Sequence, residues 1–317
     1  MQRFHTTQFN DVDALICLKG SQRISVCIPT LNEADTIGQI VATIRETLVK
    51  NFELVDEILV IDSDSQDGTK EIAAAAGAVV HRAADIFPHS DSYLGKGENL
   101  WKALHIATGD LICYVDGDIS NFKSSFVTGL VGPLLTHPDI DYVKAHYQRP
   151  LSQAGEIHPA GGGRVSEILI RPLISLFYPE LSGILQPLSG EYAARRSILE
   201  LLAFPTGYGV EIAHLIDLAH AGKLQRIAQT DLIRRVHRNR TADELGSMAF
   251  AILKVVIRRL ERDGKLTLTE ALPDLYQFWT DDVTGSHATS QLIPELERPP
   301  ISQFLKTRAV VESQIQQ

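Results

Sequence analysis

What most constrains this 317-residue chain is the alternation, through its first third, of short β-branched runs with longer segments of helical period. Residues 24–28 (Ile-Ser-Val-Cys-Ile) are a near-continuous apolar run stopped by Pro29. Ile37, Ile40, Val41, Ile44 and Leu48 then recur at the spacing of one helix face. A second run, 57–61, ends in Asp62-Ser63-Asp64-Ser65, and an Ala-rich helix is predicted over 69–76, capped by Gly77 before a short strand at 78–81. A helix over 99–107 leads through Gly109 into a strand at 111–115 that ends at Asp116-Gly117-Asp118. Strands apolar on both faces and separated by helices predict an α/β fold with a mostly parallel sheet covered on each side. Ligands of such sheets lie beyond the carboxyl ends of the strands. The polar clusters at Asn32-Glu33, at 62–65 and at 116–118 all fall there.

The second half is more helical, with helices predicted over 164–176, 197–202, 210–220 and 242–262 and an extended piece over 226–237. From about residue 281 the sequence turns irregular, with Pro299-Pro300 and a Gln-rich end. That tail is expected to be weakly ordered or to pack on a partner subunit. A net charge of -9 disfavours non-specific nucleic-acid binding. Any anionic substrate must therefore be held by local cations or a metal. No apolar run is long enough to span a bilayer, and Asp11 and Asp13 interrupt the stretch where a signal peptide would need its apolar core, so no membrane partner is expected. Cys17, Cys27 and Cys113 show no metal or redox spacing and fit a reducing cytoplasm.

Asp-x-Asp occurs four times, at 11/13, 62/64, 116/118 and 139/141. Only Asp116-Gly117-Asp118 directly follows a strongly apolar strand and contains a Gly. Paired carboxylates there suit a hard divalent ion, Mg²⁺ or Mn²⁺, shared with substrate phosphate; a loop-capping turn explains them equally well. Gly161-Gly162-Gly163-Arg164 precedes a predicted helix, so amides, helix dipole and guanidinium could converge on an anion. The alternative is a turn carrying a surface Arg. Lys96, between two glycines, is either a cation on a backbone that approaches a ligand or a solvated loop residue. If 235–239 is extended, Arg235, His237 and Asn239 share a face, where a neutral imidazole could complete a metal site with Asp118 and Arg235 could meet phosphate oxygens. Glu211, in the first turn of its helix, could simply compensate the dipole.

Pro29-Thr30-Leu31-Asn32-Glu33, Asp62-Ser63 and the Asp-x-Asp after the 111–115 strand together resemble the GT-A glycosyltransferases. Further along come Gly95-Lys96-Gly97-Glu98, Gly161-Gly162-Gly163-Arg164-Val165, Gln186-Pro187-Leu188-Ser189-Gly190-Glu191-Tyr192, Gly207-Tyr208-Gly209-Val210-Glu211 and His237-Arg238-Asn239-Arg240. In that order, over 24–246, the set resembles the glucosyl-3-phosphoglycerate synthases, retaining enzymes related to mannosyl-3-phosphoglycerate and mannosylglycerate synthases.

The resemblance implies a Rossmann-like GT-A sheet flanked by helices, with a more helical acceptor-binding C-terminal part. It divides the chain into an extension (1–22), a nucleotide-sugar half (23–150), an acceptor half (151–246) and a C-terminal helix with tail (247–317). It implies transfer of glucose from UDP-glucose or GDP-glucose to the 2-hydroxyl of 3-phosphoglycerate by a homodimer using Mg²⁺ or Mn²⁺. The donor pocket implied comprises Pro29, Thr30, Leu31, Glu33, Ser63, Lys96, Asp116, Gly117, Asp118, Tyr208, Glu211, Arg235 and Asn239. Gly163, Arg164, Ser166 and Asn239 would hold the acceptor, and Asp118 and His237 the metal. Catalysis would draw on Asp118, Lys96, Glu211 and the Leu188 carbonyl. The rival expectations are a sister transferase using GDP-mannose or free glycerate, and a catalytically inactive GT-A scaffold.

Overall fold

The structure, a computed structural model, describes residues 1–87, 93–149, 151–153, 156–158, 162–236, 241–282 and 285–304. The chain runs β1 (Gln2–His5), α1 (Val12–Lys19), β2 (Ile24–Thr30), α2 (Ala34–Ile44), β3 (Glu57–Asp62), α3 (Thr69–Ala76) and β4 (Val79–Arg82). It continues through α4 (Lys96–Ile106), β5 (Leu111–Tyr114), α5 (Ser125–Thr136) and β6 (Tyr142–Gln148). A small hairpin, β7 (Leu151–Gln153) with β8 (Glu156–His158), precedes α6 (Arg171–Phe177), β9 (Tyr192–Arg195), α7 (Arg196–Leu199), β10 (Phe204–Pro205) and α8 (Val210–His220). Then follow β11 (Ile227–Arg234), α9 (Ala242–Arg262), β12 (Leu275–Asp282), β13 (Gly285–Leu292) and β14 (Glu297–Arg298).

Eight strands form one sheet in the order β1-β11-β6-β9-β5-β2-β3-β4. Every neighbouring pair is parallel except those of β9, which runs antiparallel to both β5 and β6. Alternate residues of each strand feed two separate cores, because successive side chains point to opposite faces. Val26, Ile28, Val60 and Cys113 pack with α1, α2 and α5 on one face. Cys27, Leu59, Ile61, Tyr114, Tyr142 and Tyr192 pack with α4, α6, α8 and α9 on the other. The result is three layers, with the Asp62 and Asp116–Asp118 clusters at the carboxyl ends of β3 and β5 on one edge.

Helices α3, α8 and α9 occupy the spans their apolar periodicity predicts, α9 opening on a capping box between Thr241 and Glu244. Three expectations need correction. Lys96 is not in a loop: α4 starts three residues earlier than its apolar period indicates, with Lys96 as its first residue after Gly95. Residues 2–5, set ahead of the domain as an extension, are the edge strand of the main sheet, paired with β11. The tail joins its own chain over residues 285–298, and residues 305–317 lie outside the described residues. β12 and β13 pair along their full length, and β14 pairs with β10. The hairpin carries no apolar alternation because most of its side chains face solvent; Trp279 is 75% exposed. No helix among the described residues is long and apolar enough to cross a membrane.

Candidate active site

Three of the four Asp-x-Asp triplets tie the structure together. Asp11 caps α1 through the Ala14 amide at 3.0 Å, and Asp141 accepts from Arg226 at 2.7 Å. Buried Asp62 accepts from the Thr30 hydroxyl at 2.9 Å and the Ser65 amide at 2.8 Å, which fixes the ends of β2 and β3 against each other. The Asp116-Gly117-Asp118 triplet is different: it follows β5 directly and its carboxylates line a cleft.

Four chain segments bring charge to that triplet. Lys96 Nζ lies 2.6 Å from Asp116 Oδ1 and 2.8 Å from Glu211 Oε1, on the first turn of α8. Arg235, just past β11, places Nη2 at 2.9 Å from Asp116 Oδ2 and 2.5 Å from Asp118 Oδ1. Its Nε lies 3.0 Å from Glu191 Oε1. Because β9 runs against its neighbours, its amino end rather than its carboxyl end carries Glu191 to this edge. Gly190 is required there, since a Cβ would overlap both the Asp116 carboxylate and the Lys96 ammonium.

The pairing overrides the cost of burial. Burial alone would raise the Asp116 carboxyl, but Lys96 and then Arg235 hold it well below the carboxylate range. Burial likewise disfavours charged Lys96, yet Asp116 and Glu211 hold it well above the ordinary lysine value. Glu191 is pushed up by burial despite Arg235. A third cation, Lys144 on β6, donates to the Ser189 carbonyl at 2.5 Å, and burial draws it down to about 7.

One cleft gathers the residues singled out from the sequence. Pro29, Thr30, Leu31, Glu33 and Ser63 form one wall with Asp116, Gly117 and Asp118. Lys96, Leu188, Tyr208, Glu211 and Arg235 line its middle, and Gly163, Arg164 and Ser166 face it from the start of the α6 region. His237 and Asn239 lie outside the described residues. The shared face expected for Arg235, His237 and Asn239 therefore falls outside the described residues as well. The strand ends at Arg234 after a register shift between Asp231 and Arg234, with Ile233 in the left-handed region at φ 72. Arg235 itself meets the carboxylates of Asp116, Asp118 and Glu191.

Several cleft groups carry no advance signal. Behind them, fully buried Glu191 pairs with Arg235, a role that its motif does not signal. Arg149 follows β6 with no local pattern, and Asn99, whose amide bonds Ser63 at 2.9 Å, read as an ordinary helical residue. Leu245, Met248 and Ile252 of α9 add an apolar wall that periodicity assigns only to the core. The donor set suits a hard divalent ion: carboxylate oxygens of Asp116 and Asp118 converge on a single guanidinium nitrogen, a stand-in for positive charge at that point. Among the described residues no three His, Cys, Asp or Glu side chains share a metal-sized shell, so Asp118 would need partners from elsewhere.

A family model for glycosyl transferase family 2 matches residues 25–177. Over 300 residues, 94% of this chain and 92% of the relative, the sequence is 49% identical to the glucosyl-3-phosphoglycerate synthase of Petrotoga mobilis. The chain belongs to the glucosyl-3-phosphoglycerate synthase family. A family structure from Mycobacterium tuberculosis, solved with Mn²⁺, UDP and phosphoglyceric acid, matches at TM-score 0.81 and 37% identity, over 92% of this chain and 95% of that one. The mannosyl-3-phosphoglycerate synthase of Rubrobacter xylanophilus matches at TM-score 0.87 and 35% identity, over 95% and 97%. The architecture is accordingly GT-A, as its motifs imply, and the chain is a glycosyltransferase.

Proposed function

We propose that this chain transfers glucose from UDP-glucose to the 2-hydroxyl of 3-phosphoglycerate, with retention at the anomeric carbon. The observation that carries this reading is convergence. Every described residue to which the resemblance assigns a donor, acceptor, metal or catalytic role lines one cleft, in a fold shared with a synthase solved with Mn²⁺, UDP and phosphoglyceric acid.

Thr30, Leu31, Glu33 and Ser63 would hold the nucleotide, with Asp116 on its ribose or uracil side. Asp118, with His237, would hold Mg²⁺ or Mn²⁺, whose contribution when bound is to neutralise the diphosphate. Arg164, Gly163 and Ser166, joined by Asn239, would bind the acceptor's phosphate and carboxylate, for which an acidic chain needs local cations. Lys96 and Arg235, released from the carboxylates by the arriving ligands, would meet phosphate oxygens. Glu211 would take sugar hydroxyls, beside Tyr208. The bond between the anomeric carbon and the β-phosphate oxygen breaks as that carbon bonds the acceptor oxygen on the same face. The acceptor proton passes to the departing phosphate, and the Leu188 carbonyl supports the sugar cation. Positioning and electrostatics supply the rate.

We place the activity in the cytoplasm, consistent with three free thiols, and take a homodimer as the assembly that light scattering should return. Residues 23–150 would form the donor half and 151–246 the acceptor half.

A second reading, a mannosyl donor, is favoured by the match to the Rubrobacter xylanophilus enzyme. The test pairs UDP-glucose, GDP-glucose and GDP-mannose with 3-phosphoglycerate and D-glycerate, with Mg²⁺ or chelator, reading product mass and anomer. Metal-dependent α-glucosyl-3-phosphoglycerate supports the first reading. Turnover only with GDP-mannose or only onto D-glycerate replaces it, and nucleotide binding without any transfer would point to an inactive scaffold.

A further inference from the structure

Residues 293–304 have no part in the chemistry above, yet they are bonded to the backbone that carries it. Residues 95–98 and 205–207 cross so tightly that a Cβ on Gly97 would overlap the Pro205 carbonyl oxygen, and one on Gly95 that of Thr206. Across this crossing the Gly97 amide donates to Gly207 O at 3.1 Å and the Glu98 amide to Thr206 O at 3.0 Å. It sets two cleft residues, Lys96 and Tyr208. From the side away from the cleft, the Thr206 amide donates to Leu296 O at 2.9 Å and the Gly207 amide to Glu295 Oε1 at 2.7 Å.

We propose that Glu295 is a positioning residue for glycosyl transfer. By accepting the Gly207 amide, its carboxylate fixes the crossing from outside and so sets Lys96 against Asp116 and Glu211. This inference rests on the transferase reading above.

The charged groups facing Glu295 are Lys254 and Arg258 of α9 and Glu297 of β14. Burial nevertheless pushes its carboxyl up to about 7. The ionised form is the stronger acceptor for an amide, so the crossing tightens as pH rises through 7. Stability moves the other way. A carboxyl whose pKa is raised in the folded state stabilises the fold fully below its unfolded value of 4.5, and that contribution is lost as pH climbs through about 7. A role in structure alone would not couple gain of function to loss of stability.

The experiment compares wild type, Glu295→Gln and Glu295→Ala at about pH 6, 7 and 8. It reads kcat and KM with UDP-glucose, 3-phosphoglycerate and Mg²⁺, the thermal midpoint, and UDP affinity by calorimetry with Mg²⁺. Wild-type kcat/KM should rise roughly three- to tenfold across this range, the difference between a hydrogen bond to a charged acceptor and one to a neutral acceptor. Glu295→Gln should be flat with pH and gain thermal stability on wild type toward pH 8, and Glu295→Ala should transfer slowly throughout. The proposal is overturned if the Gln variant keeps the wild-type rise, or if the Ala variant matches wild-type kcat/KM. Should wild type transfer no glucose, the functional reading alone fails. UDP affinity then decides: a pH-dependent gap between wild type and Glu295→Gln upholds the positioning role, and equal affinities at every pH reject it.

Discussion

Arg235 reaches Asp118 at 2.5 Å through the guanidinium nitrogen that also lies 2.9 Å from Asp116. Both carboxylates thus aim at one point, and the pair holds positive charge there before any ligand arrives. Asp118→Ala deletes one side of that arrangement. Transfer with Mg²⁺ should fall on the order of a thousandfold, as for loss of a preorganised charge in a buried site. Steady-state rates and UDP titration with Mg²⁺ provide the check, and a variant retaining a tenth of wild-type kcat would remove Asp118 from the metal site.

Gly190 abuts the Lys96–Asp116 pair from the opposite side. Gly190→Ala should force the two charges apart and lower transfer by about a hundredfold, the scale on which small misplacements act. The far-ultraviolet circular dichroism spectrum should not change. Wild-type turnover in this variant would mean that the ion pair does not need its present geometry.

Lys144 links pH to stability in the direction its burial dictates. Its folded-state pKa, about 7, lies below the unfolded 10.5, so the unfolded chain binds the extra proton more tightly between those values. Stability should therefore grow as pH rises above 7, and be lowest below it. Lys144→Met, free of that proton, should melt above wild type at about pH 6, by some 2–4 °C for each kcal/mol of relief. The gap should narrow toward pH 9. A gap that is constant with pH would show that the ammonium is not desolvated as its surroundings indicate.

Arg298 grips Glu98 with two hydrogen bonds, each 2.7 Å, against the Trp101 ring. Glu98 is fully buried, and Lys102 at 3.1 Å remains its other partner. Arg298→Ala leaves a buried carboxylate short of charge and should cost about 3–5 kcal/mol, read as a lower urea midpoint. Glu98→Gln together with Arg298→Met should recover part of that loss, because removing both charges is milder than stranding one.

Much of this was written in local patterns. The runs at 24–28, 57–61 and 111–115 announce their strands because both faces of the sheet are covered, and Asp116 and Asp118 follow from where β5 stops. Glu191 was not legible as the buried partner of Arg235, because it enters at the beginning of a strand. Only the reversal of β9, set by pairing with β5 and β6, turns that end toward the ligand side. Arg235 was legible as a cleft cation but not as the partner of Asp116 and Asp118, since the shift in register after Asp231 erases alternation. The tail was hidden for a different reason. Its bonds include those to backbone atoms of Thr206 and Gly207 and to the buried carboxylate of Glu98, contacts that leave no periodic trace.

The late position of Glu295 and Arg298 has a consequence for how the enzyme comes into being. Every cleft residue described here precedes these two in the chain and leaves the ribosome before them. The loop bearing Gly207 and the start of α4 then lack their outer clasp. Cleavage between Asp274 and Glu295 should likewise release the outer contacts on Thr206 and Gly207 while leaving every cleft residue covalently in place.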